Sequence, residues 1–204
     1  MRVVVPFDAG APKTRLSPLF DAGERAAFAR VMLEDVLGTL SAAGYEPTVL
    51  ATEPVDCAAA VEVDERPLTP AVNAVLEAAE GAVAVVMADL PLATPTSLDR
   101  LFGAEADLAV APGRAAGTNA FVARHPEFRV DYHGTSFVDH LAIAESVGAS
   151  VEVVDSHRLA TDVDERADLV EVLVHGEGTR SRGWLLDRGV ELTVADGRVG
   201  VERD

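Results

Sequence analysis

This 204-residue chain contains one lysine, at position 13 in the segment Pro12-Lys13-Thr14-Arg15-Leu16, and its other basic side chains are arginines. The ammonium group of lysine binds phosphate as a compact point charge, whereas the guanidinium group of arginine is a planar fork. The loop 8–18 is rich in Gly, Ala and Pro, so its backbone amides can join Lys13 and Arg15 around an anion. We therefore predict a polyphosphate site in this loop. The alternative is that Lys13 is a solvated surface residue.

Carboxylates suited to a metal ion occur in two further places. Asp89 follows an apolar strand and precedes Leu90-Pro91. Asp162 and Asp164 are two residues apart, so in an extended segment both side chains point the same way. Mg²⁺ keeps several waters and needs only one or two protein carboxylates besides substrate phosphates, so we predict that these three aspartates are Mg²⁺ ligands. The alternatives are a turn or helix-capping role for Asp89 and an N-cap role for Asp164.

A second anion site is predicted where Gly117-Thr118-Asn119 and the segment 132–140 contribute hydroxyl and amide groups. Ser136 and Asp139 have the spacing of a capping box. A capping box at this position is compatible with anion binding, since a hydroxyl group and free amides at a helix start also bind phosphate. His140, one turn later, either contacts the same anion or is a structural histidine.

Alternating strand and helix patterns indicate an α/β fold that places these residues near strand ends. Short β-branched runs predict strands at 2–7, 48–51, 82–87, 108–111, 120–123 and 151–154. Apolar residues at helical spacing predict helices at 24–43, 70–80, 96–102, 136–147 and 165–174. Nearly continuous apolar strands are typical of a mostly parallel sheet covered on both faces. The tail 191–202 predicts a β-hairpin around Asp196-Gly197, as an edge addition or a cap.

Length and charge limit the function classes. We expect one domain over residues 1–204, with about 176–204 as a C-terminal extension. The formal net charge of -17 argues against nucleic acid and anionic membranes as partners and is typical of proteins that stay soluble in concentrated salt. We expect a cytoplasmic protein, because the sequence begins directly in a strand and has no long apolar run. The oligomeric state, monomer or homodimer, stays open.

The ordered set of these motifs resembles the 2-phospho-L-lactate guanylyltransferase family of coenzyme F420 biosynthesis, in its halophilic archaeal type. The resemblance rests on Val3-Val4-Val5-Pro6 followed by Pro12 to Leu16, and then on Asp89-Leu90-Pro91. It continues through Gly117-Thr118-Asn119, Gly134 with Ser136-Phe137 and His140, and Thr161-Asp162-Val163-Asp164, to about residue 175. The chain departs from the family at Phe7-Asp8, where relatives commonly have a second lysine, and at His133, where relatives often have a small residue.

The resemblance implies a nucleotidyltransferase fold related to glycosyltransferase-A domains and transfer of GMP from GTP to 2-phospho-L-lactate. It implies GTP binding by Lys13 and Arg15 and binding of the substrate phosphate or carboxylate near Thr118, Gly134 and Ser136. Asn73, on a predicted helix, is a further candidate, for a base edge of the nucleotide. Two alternatives stay open. One is a same-fold enzyme acting on phosphoenolpyruvate, 3-phosphoglycerate or a sugar phosphate, and the other is a non-catalytic nucleotide-binding protein.

Overall fold

The computed structural model describes residues 1–10, 12–195 and 197–203, and a seven-stranded sheet runs through its centre. In chain order the strands are β1 (Arg2–Phe7), β2 (Pro47–Ala51), β3 (Ala60–Val63), β4 (Val83–Val86), β5 (Leu108–Pro112), β6 (Thr118–Ala123) and β7 (Val151–Val153). They lie in the order β3-β2-β1-β4-β6-β5-β7. Strand β6 is antiparallel to β4 and β5, and the other neighbours are parallel. The predicted α/β fold with a mostly parallel sheet is confirmed.

Helices cover both faces of this sheet. They are α1 (Ala22–Ala42), α2 (Leu68–Ala78), α3 (Pro95–Gly103), α4 (Ser136–Ser146), α5 (His157–Ala160), α6 (Asp168–His175) and α7 (Arg180–Leu186), with a 3-10 turn at Thr14–Leu16. Val3 and Val5 of β1 pack in a core with α1, α3, α6 and α7, whereas Val4 packs with α2 and α4 on the other face. Successive side chains of a strand point to opposite faces, so a sheet buried on both sides requires nearly continuous apolar strands.

The C-terminal hairpin is a small sheet of its own. Strands β8 (Val190–Ala195) and β9 (Arg198–Arg203) pair only with each other in the described ranges. Val190 and Val201 are buried in the core shared with α6 and α7, so the hairpin is a cap rather than an edge strand of the central sheet. The predicted hairpin is confirmed, but the predicted turn residue Asp196 lies outside the described residues.

Several local predictions differ from the structure. Strand β3 and helices α5 and α7 were not predicted. Helix α6 begins at Asp168 and its N-cap is Ala167, so the N-cap alternative for Asp164 is wrong. Ser136 is the first residue of α4, and Thr135 is its N-cap, so the capping box of Ser136 with Asp139 is also wrong. Across the three described ranges, no helix combines the length and apolar character needed to cross a bilayer.

Candidate active site

Lys13 lies between two of the predicted metal ligands. Its Nζ donates to Asp89 Oδ2 at 2.7 Å and to Asp164 Oδ1 at 2.6 Å. Only 10% of the side chain is exposed, so Lys13 is not a solvated surface lysine. Its backbone is left-handed, with φ 56 and ψ 43, a conformation that costs a non-glycine residue about 1–2 kcal/mol. The contacts of the side chain therefore hold the loop in a strained position beside the carboxylates.

The charges of this cluster shift two pKa values. Burial lowers the pKa of Lys13, but attraction and hydrogen bonds from Asp89 and Asp164 outweigh it, so the net shift is upward and the ammonium stays charged. Burial raises the pKa of Asp162, and the neighbouring charges of Asp89 and Asp164 raise it further, against a hydrogen bond from Asn119. A cation near Asp162 would relieve this repulsion.

Backbone hydrogen bonds join the segment after β4 to β6 and to the loop between α5 and α6. The amide of Met87, at the end of β4, donates to the carbonyl of Asn119 in β6 at 2.9 Å. The amide of Val163 donates to the carbonyl of Asp89 at 3.1 Å. The loop between α5 and α6, which carries Asp162, is thereby fastened to the turn after β4. These contacts place the turn that carries Asp89 next to the loop that carries Asp162 and Asp164, but among the described residues the three carboxylates do not all offer ligand atoms within 4.8 Å of one another.

Asn119 positions Asp162, a role that the sequence analysis did not assign to it. Its Nδ2 donates to Leu159 O at 2.9 Å and to Asp162 Oδ1 at 3.0 Å. Gly113 makes room for it, because a Cβ atom at that position would lie 2.6 Å from Asn119 Oδ1. The only available signal was the place of Asn119 beside Thr118 in a motif already singled out for chemistry.

The aspartates fit a hard divalent cation in their chemistry. Asp89 Oδ1 is buried and has no hydrogen-bond partner among the described residues, although a buried carboxylate oxygen is costly to leave unpaired. Carboxylate oxygens are the ligands that Mg²⁺ prefers. Asp89 and Asp164 share the Lys13 ammonium, and Asp162 is electrostatically coupled to both. The three residues thus suit Mg²⁺ by donor type, and the ion itself stays a prediction.

A cleft of about 580 Å³ opens beside Lys13 and Asp89. Pro6, Phe7 and Asp8 line it from the end of β1, and Leu68 and Ala71 line it from α2. This volume lies within the range of nucleotide and cofactor sites, about 300–1,000 Å³. The ends of parallel strands at such a cleft are the usual ligand positions in open α/β sheets.

The three predicted acceptor-binding residues lie around the start of α4. The amide of Thr118 donates to Ser136 Oγ at 3.0 Å, so two of these residues are in direct contact. Both are buried, whereas Gly134 is exposed with a φ of +54. Thr118 and Asn119 are adjacent in β6, and Thr118 contacts α4 while Asn119 contacts Asp162. One strand therefore connects the two predicted sites.

His140 is a buried structural residue with a defined tautomer. Its Nε2 accepts a hydrogen bond from the amide of Asp131 at 3.0 Å, so the proton of the neutral ring is on Nδ1, which lies 2.9 Å from Thr118 Oγ1. Burial lowers the pKa of His140 to about 4. Its role is therefore to orient Thr118, and the structural alternative from the sequence is the one that the structure supports.

Two other predicted nucleotide contacts have different partners here. Arg15 Nη1 lies 3.2 Å from Glu165 Oε1, and its side chain is 68% exposed. The amide of Asn73 is engaged at both ends by the backbone of Val130, donating at 3.0 Å and accepting at 2.8 Å. Asn73 therefore fixes the position of the segment before α4. This arrangement does not support the predicted contact between Asn73 and the base of the nucleotide.

Comparison with known proteins shows the family of the chain. The family model described as "Guanylyl transferase CofC like" matches residues 1–203. The chain is 64% identical to the 2-phospho-L-lactate guanylyltransferase of Halomicrobium mukohataei, over the full length of both chains. It is 58% identical to the enzyme of the same name from Halorubrum lacusprofundi, again over the full length of both.

A solved structure supports the fold. A protein described as a nucleotide-diphospho-sugar transferase from Desulfovibrio desulfuricans superimposes with a TM-score of 0.76 at 14% identity. The match covers 92% of this chain and 96% of that one. The family model and the high identity of the full-length relatives show that the chain belongs to the CofC-like guanylyl transferase family.

Proposed function

We propose that the protein transfers GMP from GTP to 2-phospho-L-lactate, releasing pyrophosphate and forming lactyl-2-diphospho-5′-guanosine for coenzyme F420 biosynthesis. The observation that carries this proposal is the cluster of Lys13 with Asp89 and Asp164 at the edge of a cleft of nucleotide size. Family membership supports the choice of substrates, since the relatives are named for this reaction.

The net negative charge of the cleft requires a divalent cation when a triphosphate binds. Its lining includes the acidic residues Asp8, Asp64, Glu65 and Asp89, against two basic residues, Lys13 and Arg66. Arg66 is already paired with Asp64. A triphosphate entering this cleft meets a net negative surface, and like charges repel over a Debye length of about 10 Å at 0.1 M salt. Mg²⁺ held by Asp89, Asp162 and Asp164 supplies the missing positive charge when bound.

The side chains of the protein contribute by positioning and by charge. The phosphate group of the acceptor is already anionic, so its attack on the α-phosphorus requires no strong general base. Lys13 stabilises charge on the triphosphate as pyrophosphate leaves, and Arg15, in the same loop, adds a second cation. Thr118, Gly134 and Ser136 hold the acceptor near the start of α4, where backbone amides favour an anion.

A pyrophosphate-release assay tests this function. The assay uses GTP, Mg²⁺ and a panel of 2-phospho-L-lactate, phosphoenolpyruvate, 3-phosphoglycerate and a sugar phosphate. We expect release with 2-phospho-L-lactate. Release only with another acceptor would assign a different substrate to the same fold, and GTP binding without release would support the non-catalytic alternative.

The metal assignment is tested by Asp89→Asn, with the exposed helix residue Asp99→Asn as its matched control. The amide of Asn removes the anionic ligand that Mg²⁺ prefers, so turnover should be abolished while the fold is kept. The control should retain wild-type turnover. Full activity of Asp89→Asn would end the assignment.

We infer that the enzyme works in the cytoplasm of a cell with concentrated salt. Its net charge is -17, and unscreened carboxylates destabilise the compact state by mutual repulsion. The midpoint of thermal unfolding should therefore rise from dilute to molar KCl, as followed by circular dichroism. A midpoint that is constant or falls would contradict this account.

A further inference from the structure

Two histidines and a glutamate converge on the side of the molecule formed by α5 and α6. His157 is the first residue of α5, and Glu171 and His175 are four residues apart on α6. One ligand atom from each of the three lies within 4.8 Å of the other two. The proposed transfer reaction uses none of these side chains, and the acidic residues of the active site are not among them.

The spacing of the three groups matches a coordination shell better than a set of hydrogen bonds. His157 Nε2 lies 3.3 Å and His175 Nε2 lies 3.5 Å from the same atom, Glu171 Oε2. Hydrogen bonds from nitrogen to oxygen are usually about 2.9–3.0 Å long. Ligands at about 2.0–2.1 Å from a tetrahedral Zn²⁺ ion are separated by about 3.3–3.4 Å. The separations of 3.3 and 3.5 Å lie within about 0.1 Å of this second geometry and are longer than a usual hydrogen bond.

The neighbouring residues leave the glutamate free to bind an ion through Oε2. Arg114 Nη1 lies 3.9 Å from the other oxygen, Oε1, and its Nη2 is bonded to Asp168 at 2.6 Å. The two imidazole rings are nearly perpendicular, at 75° with centroids 5.2 Å apart, so they do not stack face to face. Both histidines are about half exposed, so an ion has access from solvent.

We propose that His157, Glu171 and His175 bind a late first-row divalent cation of the Zn²⁺ class, with water completing the coordination. Imidazole nitrogen suits Zn²⁺, Cu²⁺ and Ni²⁺, whereas Mg²⁺ prefers oxygen ligands only. This site therefore differs in its metal preference from the carboxylate cluster of the proposed reaction, and it does not depend on that reaction.

The position of the site gives the ion a structural consequence. The chain from His157 to Glu171 includes the loop with Asp162 and Asp164, and an ion bound at both ends closes this segment. A metal ion that joins the two ends of a segment lowers the conformational entropy of the unfolded chain and so favours the native conformation of the loop. The ion thus stabilises the folded protein and restrains the active-site aspartates without contacting substrate.

Calorimetric titration of the untagged full chain with ZnCl₂ in molar KCl, with and without excess Mg²⁺, tests the site. We expect one Zn²⁺ per chain and a higher midpoint of thermal unfolding with Zn²⁺ than without. His175→Ala and His157→Ala should each weaken binding by at least about tenfold. His125→Ala, which removes a histidine elsewhere, is the matched control and should bind as the wild type does.

The melting curve of each variant without Zn²⁺ shows whether the variant folds. If His175→Ala does not fold, the conservative variant His175→Gln replaces it. Absence of Zn²⁺ binding to the wild type would overturn the proposal. So would binding that excess Mg²⁺ abolishes, or binding that both histidine variants keep, because either result would place the ion on the active-site carboxylates.

Discussion

Replacement of Lys13 is the most informative perturbation of the proposed active site. The ammonium makes hydrogen bonds of 2.7 and 2.6 Å with two carboxylates in a position that is 10% exposed. A hydrogen bond to a charged partner contributes about 1.5–3 kcal/mol. If one such bond forms with the triphosphate in the transition state, Lys13→Ala should lower kcat/KM about tenfold to 150-fold, which corresponds to about 1.5–3 kcal/mol.

Two further substitutions at position 13 separate the charge from the backbone. Lys13→Gly relieves the left-handed φ of 56, so it should be more stable than Lys13→Ala by about 1 kcal/mol. Both variants should lose activity equally, because both lack the ammonium. Lys13→Arg keeps the charge but changes reach and donor geometry, so its activity should lie between those of the wild type and Lys13→Ala.

The assay is pyrophosphate release at subsaturating GTP, with thermal melts in the same molar KCl buffer. Wild-type kinetics for Lys13→Ala would remove Lys13 from the site and weaken the assignment of the nucleotide to this cleft. Recovery of activity in Lys13→Gly but not in Lys13→Ala would also refute the reasoning, since the loss would then come from the backbone conformation.

Three other predictions follow from individual contacts. Gly113→Ala should lower kcat/KM by at least about tenfold with a small loss of stability, because its Cβ would lie 2.6 Å from the Asn119 side chain that orients the metal-binding loop. His140 has its pKa lowered by burial from 6.5 to about 4; the unfolded chain therefore takes up the proton first as pH falls, and about 2 kcal/mol of stability should be lost between about pH 7.5 and pH 5. Arg203→Gln should cost about 1 kcal/mol at neutral pH, since the Arg203 hydrogen bond lowers the pKa of Glu24 to about 2; this contribution is present above the ordinary pKa of Glu24 and is lost as pH falls from about 4.5 toward 2.

Controls for these three predictions are available in the chain. Gly38→Ala meets no atom within 4 Å and should leave kinetics unchanged, so an equal loss in both glycine variants would refute the steric argument. His140→Phe removes the titrating ring, and chemical denaturation at each pH should show a shallower slope above pH 5 than in the wild type. An unchanged slope would contradict the assignment to His140. For Arg203→Gln, the stability difference from the wild type should vanish near pH 2.

Local patterns predicted the buried elements of the fold but not those that depend on distant partners. The strand predicted at 2–7 was confirmed as Arg2–Phe7, because residues 3–7 are apolar and buried. Strand β3 was missed because it contains Glu62 and is mostly exposed, so only its pairing with β2 makes it a strand. The antiparallel direction of β6 did have a local signal that the sequence analysis did not use, because residues 113–117 are too short a connection from β5 for a parallel crossover.

The sequence predicted which residues form the candidate site, but it did not predict the contacts between their side chains. Asp89 was chosen because it follows a buried strand, and Asp162 because it lies two residues before Asp164. The fold places Asp89 and Asp164 on Lys13, whereas the carboxylate of Asp162 is bonded to Asn119. The bond of Lys13 to Asp164 joins residues 151 positions apart, and periodicity carries no information at that separation. Capping rules pointed to Asp164 as an N-cap, but the fold uses its carboxylate for the ion pair instead.

The geometry at Lys13 also accounts for a lysine in a chain that otherwise uses arginine. An ammonium group has three donors in a tetrahedral arrangement, and the bonds to Asp89 and Asp164 use two of them. In a tetrahedral arrangement the third donor points away from these two bonds, so we expect it to bond a phosphate oxygen without breaking either of them. The donors of a guanidinium group lie in one plane, so an arginine bonded to both carboxylates directs its remaining donors within that plane. We therefore expect an ammonium group to suit this position better than a guanidinium group when a triphosphate binds beside it.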